Sequence, residues 1–298
     1  MVDTVGYKAS SRPRLLACGC GKGETMQPQE KYAVCVGALK AYSDEAGFTD
    51  AVLGLSGGID SAVTAVMCVD AFGRDHVHGV LLPGPYSSEH SVTDAQELAD
   101  NLGIEVQTIS ILEPFEAFER VLGRACGGEL SGLAAENTQA RCRMVCLMAL
   151  SNTCGWMLVN TGNKSEAMMG YSTLYGDTAG AFAPMGGLYK TDVYEVGRWR
   201  NDQAARDGLV APIPERTFTK PPSAELAPDQ QDERSLGISY EQLDRILIAA
   251  VEHGIKPEGI VRAGTAELDT VLEVLSTAKR YEFKRAMEPP YPSASFYR

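Results

Sequence analysis

Gly54-Leu55-Ser56-Gly57-Gly58-Ile59-Asp60-Ser61 sets two adjacent glycines, two hydroxyls and a carboxylate side by side. Glycines reach backbone conformations closed to other residues and let main-chain N–H groups come close to a ligand. An apolar run, Ala51 to Leu55, precedes the stretch, and an amphipathic one, Ala62 to Phe72, follows it. That pattern reads as strand, tight turn, helix. The first N–H groups of a helix lack intrahelical partners and carry partial positive charge, so the turn is a seat for phosphate. It is not a Walker A loop, because Asp60 stands where that motif places lysine. An acid beside phosphate has a purpose if it holds Mg²⁺. A glycine-rich turn in which Asp60 only caps the helix is the structural alternative.

Placing this turn in a nucleotide site requires elements that carry it to a crevice. Strands are expected at 51–55, 76–82, 106–111 and 156–161, and helices at 32–46, 62–72, 92–102, 114–122 and 134–151. The alternation predicts an α/β fold, a doubly wound parallel sheet with C-terminal helices. In the order 3-2-1-4, the winding reverses between the first and fourth strands, where such sheets bind ligands. Ser56–Ser61 follows one of these strands, and Thr161-Gly162-Asn163-Lys164-Ser165-Glu166 follows the other. Residues 171–188 are glycine-rich and without period. Residues 190–199 read as helix, 212–234 as a long mobile loop, and 239–253 and 267–283 as closing helices. Residues 1–27 read as an N-terminal arm, leaving 28–298 as the folded domain.

Ser-Gly-Gly-x-Asp-Ser after a strand resembles the pyrophosphatase loop of the N-type ATP pyrophosphatases, which split ATP between its α and β phosphates. Further stretches narrow the likeness: Pro85-Tyr86-Ser87-Ser88-Glu89-His90-Ser91, Glu136-Asn137-Thr138-Gln139-Ala140-Arg141, Tyr175-Gly176-Asp177 and Lys220-Pro221-Pro222-Ser223-Ala224-Glu225-Leu226. With Gly162–Glu166 they resemble the NAD synthetase family from about Tyr32 to Pro290, closest to the synthetase domain of its glutamine-dependent form. The resemblance implies an adenine nucleotide alpha hydrolase-like, Rossmann-like fold. It also implies ATP and Mg²⁺ as cofactors and ATP-dependent amidation of nicotinic acid adenine dinucleotide by ammonia, through an acyl adenylate, with AMP and pyrophosphate released. A related adenylating amide synthase acting on another carboxylate is the alternative.

By this resemblance Gly54, Leu55, Ser56, Gly57, Gly58, Ile59, Asp60, Ser61, Thr161, Lys190 and Ser223 contact ATP. Asp60 and Glu166 share Mg²⁺, and Asp60 and Lys190 act in catalysis. Asn137, Arg141, Glu166, Tyr171, Phe283 and Lys284 contact the dinucleotide substrate. Spacing alone leaves Glu166 as a solvated first-turn acid, Lys190 as a helix-surface charge and Arg141 as half of an internal salt bridge. Arg141 and Arg143 are two apart on one helix, so they face different sides. The helix that holds Asn137 and Arg141 is expected at a homodimer interface. Pro83–Ser91 and Pro212–Arg234 are expected lids, since an acyl adenylate must be kept from water. Gly186-Gly187 departs from the family's Lys-Asp at that place, and Ala286-Met287 replaces a Gln-containing pair.

With 298 residues and 44% hydrophobic content, the chain can bury a full core. Its net charge of −12 argues against a nucleic-acid surface, which needs clustered Lys and Arg. No apolar run approaches the roughly 20 residues that cross a bilayer, and scattered cysteines suit a reducing cytoplasm. Cys18 and Cys20 have no second pair at ligand spacing. A glutaminase domain needs a few hundred further residues, so ammonia is expected from solution or from a separate glutaminase partner.

Overall fold

The structure, a computed structural model, describes residues 25–297. Most of the expected N-terminal arm, with Cys18 and Cys20, lies outside the described residues. Of its last three residues, Met26 is buried and its N–H donates to Phe296 O (3.2 Å). The chain opens with helix α1 (Pro28–Ala46), then strand β1 (Ala51–Gly54) and helix α2 (Ile59–Phe72). Strand β2 (Val77–Leu81), helix α3 (Glu89–Leu102) and strand β3 (Glu105–Thr108) follow. Helices α4 (Leu112–Cys126) and α5 (Gly132–Cys154) lead to strand β4 (Met157–Leu158). The strands form one parallel sheet in the order β3-β2-β1-β4, so the winding reverses between β1 and β4 as expected.

Side chains of β1 alternate between two cores, as the pleat requires. Ala51 and Leu53 enter the larger one with Leu39, Val63 and Met67; Val52 enters the smaller one with Phe115, Cys142 and Leu147. Each fully buried aliphatic side chain contributes about 1.5–3 kcal/mol, and the helix behind the glycine turn holds many of them. Helix α2 is buried nearly all round, from Ser61 through Cys68, rather than amphipathic as its composition suggests. It is packed between α1, α3 and helix α7 (Lys190–Arg206). The turn therefore rides on a helix buried on nearly every side.

Several boundaries differ from expectation. Helix α3 begins at Glu89 rather than Val92, because Ser88 Oγ accepts from Ser91 N–H and caps it. Strand β4 pairs over only two residues, after which Asn160–Asn163 leave the sheet to line the crevice. Residues 212–234 are not an irregular loop: helix α8 (Glu215–Thr219) lies within them, helix α9 (Asp232–Leu236) begins there, and Ile213 and Phe218 are buried in the core. The first expected closing helix is α10 (Tyr240–Leu247) with a π-helical turn after it, the second is divided into α12 (Leu268–Arg280) and α13 (Glu282–Arg285), and α11 (Pro257–Arg262) lies between them without having been expected. The short α6 (Lys164–Met169) carries the loop that follows β4. No described helix is long and apolar enough to cross a membrane.

Gly57 has φ +73°, and a Cβ there would stand 2.3 Å from Ser91 O. Gly37, in α1, has open space around its missing Cβ. Gly57→Ala is therefore expected to cost about 2 kcal/mol or more, strain and clash together. Gly37→Ala is expected to add about 0.5–1 kcal/mol. Urea unfolding of both variants reads the difference, and equal effects would mean that the turn tolerates a side chain.

Candidate active site

The glycine turn is held by its own hydroxyls. Ser56 N–H donates to Ser61 Oγ (3.2 Å), Gly58 N–H donates to Ser56 Oγ (3.2 Å), and Ser61 Oγ donates to Gly58 O (3.1 Å). Ala62 N–H makes a helical bond back to Gly58 O, which leaves the amides of Ile59, Asp60 and Ser61 ahead of the first turn. They face a cleft at the carboxyl ends of β1 and β4, where a doubly wound sheet takes ligands.

Two abutting lobes make up this cleft, sharing Ser56, Ser61, Ser91, Thr161 and Ser223. The polar lobe, about 190 Å³, is walled by Asp60, Glu166, Lys190, Tyr171, Asp232 and Glu288. The second, about 260 Å³, is more apolar, with Val80, Leu82, Met144 and Leu147 beside Arg143.

At the centre of the polar lobe, Lys190 Nζ donates to Asp60 Oδ2 (2.5 Å) and Glu166 Oε1 (2.8 Å). The Lys190 side chain is 1% exposed, and both carboxylates are 19% exposed. Asn163 caps α6 by accepting from Glu166 N–H, and its Nδ2 donates to Asp60 Oδ1 (2.8 Å). One side chain thus ties together two acids that come from the first turns of α2 and α6. Burial pulls the Lys190 ammonium down, but the flanking Asp60 and Glu166 charges outweigh it and hold it above its ordinary value. Burial pushes the Glu166 carboxyl up; Lys190 opposes this and Asp60 adds to it. Among the described residues no group of three or more His, Cys, Asp or Glu surrounds a metal position. Two carboxylates converging on one cation nevertheless match the donor set of a hard divalent ion that takes its other ligands from phosphate.

The two expected lids meet over the cleft. Glu225 carboxylate accepts from Ser88 N–H (3.2 Å), Ser88 Oγ (2.9 Å) and Ser91 Oγ (2.7 Å). Lys220 Nζ donates to Ser91 Oγ (2.9 Å), and Arg216 donates to the buried Asp94 (2.6 Å). Ser223 Oγ donates to Gln230 O, which holds the second lid in shape.

Ser56, Gly58, Ile59, Asp60, Ser61, Thr161, Glu166, Tyr171, Lys190 and Ser223 all line the cleft, and Gly54 and Leu55 floor its apolar lobe. Gly57 lines neither lobe; it lets Ser91 approach. Asn137, Arg141, Phe283 and Lys284 do not line it within one chain. Three of them gather instead around residues 170–174: Asn137 Oδ1 accepts from Thr173 Oγ1, Arg141 Nε donates to Leu174 O, and Lys284 Nζ donates to Gly170 O and Ser172 O. Phe283 is 57% exposed. Of the arginine pair on α5, Arg143 enters the cleft and donates to Leu82 O (3.0 Å). Arg143, Ser91 and Lys220 were absent from the expected set, although Ser91 and Lys220 lie inside stretches that carried the resemblance. Asn160 was also absent; its Nδ2 donates to Asp177 O and Ala179 O, tying the glycine-rich segment to the strand end.

A family model described as NAD synthase matches residues 31–288. The glutamine-dependent NAD(+) synthetase of Thermotoga maritima is 44% identical over 260 residues, covering 87% of this chain and 44% of that protein. The chain thus spans about half the length of the curated relatives it matches. Two solved structures are similar over nearly their whole chains. One is the NMN synthetase of Francisella tularensis (TM-score 0.72, 29% identity, 87% of this chain and 96% of that one). The other is the NH3-dependent NAD synthetase of Campylobacter jejuni (TM-score 0.65, 27% identity, 88% and 96%).

Lys190→Met removes the lysine that, among the described residues, pairs with both Asp60 and Glu166, and leaves two facing carboxylates without it. Breaking a buried pair from one side costs about 3 kcal/mol or more. Burial pushes the Glu166 carboxyl up and Lys190 opposes it, so without the lysine its folded pKa stands further above its unfolded one and the variant loses stability as pH rises. Thermal melts from about pH 5 to pH 8 are expected to show the deficit widening upward. A deficit independent of pH would mean that the two acids do not face one another through Lys190.

Proposed function

Because the chain belongs to the NAD synthase family, we propose that it amidates the carboxylate of nicotinic acid adenine dinucleotide, with ATP activating the acid and ammonia supplying nitrogen. The observation that carries this reading is the convergence of Asp60, Glu166 and Lys190 beside the glycine turn. A carboxylate resists an amine until its oxygen becomes part of a leaving group. Attack of that oxygen on the α-phosphorus gives an acyl adenylate and pyrophosphate, and ammonia then displaces AMP.

Each residue has a part in that sequence. Val80, Leu82, Met144 and Leu147 offer an apolar slot for the adenine ring. Hydroxyls of Ser56 and Ser61 and the first-turn amides of α2 receive the departing pyrophosphate. Lys190 faces the same phosphates as a point charge. Asp60 and Glu166 would hold Mg²⁺, the ammonium of Lys190 already showing that their oxygens accept a cation between them. When bound, that ion neutralises charge as the phosphates separate. Clasped by Glu225, the two lids keep water from the adenylate.

Asn137 and Arg141 sit outside the cleft of their own chain, on α5, where Leu133 and Val145 are 71% and 67% exposed. Val121 of α4 is 66% exposed. This supports a homodimer through the α4–α5 face, with the dinucleotide reaching Asn137 and Arg141 of a second copy. Ammonia as the nitrogen source is supported by likeness to the NH3-dependent Campylobacter enzyme. A separate glutaminase would supply it in the cell. Free cysteines among the described residues accord with a cytoplasmic setting.

The purified chain is expected to convert ATP, Mg²⁺, ammonium and the deamidated dinucleotide into NAD, AMP and pyrophosphate. Turnover should be slower with the corresponding mononucleotide, the comparison that the likeness to NMN synthetase calls for. Release of orthophosphate in place of pyrophosphate would contradict the reading. In sedimentation velocity, Val145→Asp is expected to convert a dimer to monomers, since a charge inside an apolar interface is strongly disfavoured. A dimer unaffected by that change would move the interface elsewhere.

A further inference from the structure

The C-terminal segment runs back over the catalytic end of the sheet and is latched there. Its Pro290 O accepts from Ala183 N–H (2.9 Å), and Phe296 O accepts from Met26 N–H. Phe296 is 2% exposed and Tyr297 6%. Tyr297 Oη accepts from Tyr189 N–H (3.0 Å) and donates to Asp192, which is also paired with Lys31. Tyr189 and Asp192 flank Lys190 at the first turn of α7, so one phenol ties both sides of the residue that bridges Asp60 and Glu166. The near end of the same segment contributes Glu288, Pro289 and Tyr291 to the polar lobe.

Gly186-Gly187 makes this path available. A Cβ at Gly186 would stand 2.8 Å from Tyr291 Cβ, and one at Gly187 would stand 2.7 Å from Phe296 Cε2. Neither glycine has a positive φ, so space and not backbone strain is what they supply. The departure from Lys-Asp at this pair therefore coincides with a wall built by the chain's own tail.

We propose that residues 288–297 form a strap that completes the reaction cleft, with Tyr297 a positioning residue for Lys190 and Tyr291 a contact for the carboxylate substrate. This rests on the amidation reading for its substrate half only. The positioning half concerns the free protein.

Three variants test it in the full chain: Tyr297→Phe, Gly187→Ala and Tyr291→Ala. Hydrogen exchange without any substrate is the first readout. Tyr297→Phe removes one acceptor and one donor at the α7 turn, so exchange at amides 189–193 is expected to rise about tenfold. Gly187→Ala is expected to do the same by displacing Phe296 while leaving Tyr297 intact. Kinetics are the second readout. Tyr297→Phe should raise KM for Mg·ATP about tenfold, and Tyr291→Ala should raise KM for the deamidated dinucleotide about fivefold with that for ATP unchanged. Unchanged exchange in both strap variants, or a lowered Tm with unchanged KM values, would overturn the positioning role. An unchanged dinucleotide KM in Tyr291→Ala would overturn the wall. Should the wild-type chain release no pyrophosphate, the amidation reading fails and the wall with it, while exchange still decides the latch.

Discussion

An ammonium ion with 1% of its side chain exposed cannot remain in a protein interior without compensating charge. Lys190 remains because Asp60 and Glu166 reach it from the first turns of α2 and α6, and the rest of this end of the sheet is arranged to bring those turns together. β1 and β4 are neighbours in the sheet, so the turns at their ends meet. Asn163 then ties the two acids through one side chain, accepting at Glu166 N–H and donating to Asp60. Burial makes each charge costly alone and the trio mutually dependent, which is why a cation seat exists there at all.

Close approach of backbone to backbone is the second constraint. Gly57 takes a left-handed conformation with Ser91 O where its side chain would be, so the glycine turn and the Pro83–Ser91 segment are in direct contact. Ser91 in turn is shared by Glu225 and Lys220 of the second lid. A hydroxyl therefore joins turn, first lid and second lid. The arrangement makes the glycine turn and the two segments that meet over the cleft parts of one hydrogen-bonded network, in which loss of any member loosens the others.

Much of this was legible in the residues. Alternating strand and helix patterns implied the parallel order, and the residues around Gly57-Gly58 implied the strand–turn–helix that lines the crevice, because both depend on local chemistry. What was not legible depended on distant partners. The spacing of Arg141 and Arg143 shows that they face different sides, yet only packing against Leu82 decides that Arg143 turns inward. Residues 212–234 read as a loop because their order comes from Glu225 reaching Ser88 and Ser91, 137 and 134 positions away. Helix α2 looked amphipathic; α1, α3 and α7 cover it from sides that its own sequence does not specify. Tyr297 carries no periodicity, and its partners Tyr189 and Asp192 lie more than a hundred positions away.

The account turns on Asp60 and Glu166 serving as one seat for a cation beside the phosphate turn. Electron paramagnetic resonance of Mn²⁺, titrated in the presence of a non-hydrolysable ATP analogue, measures that seat directly in the wild type, Asp60→Asn and Glu166→Gln. The account predicts one tightly held ion per chain in the wild type and a large loss of affinity in each variant. Either variant holding the ion as tightly as the wild type would show that the two acids do not share it.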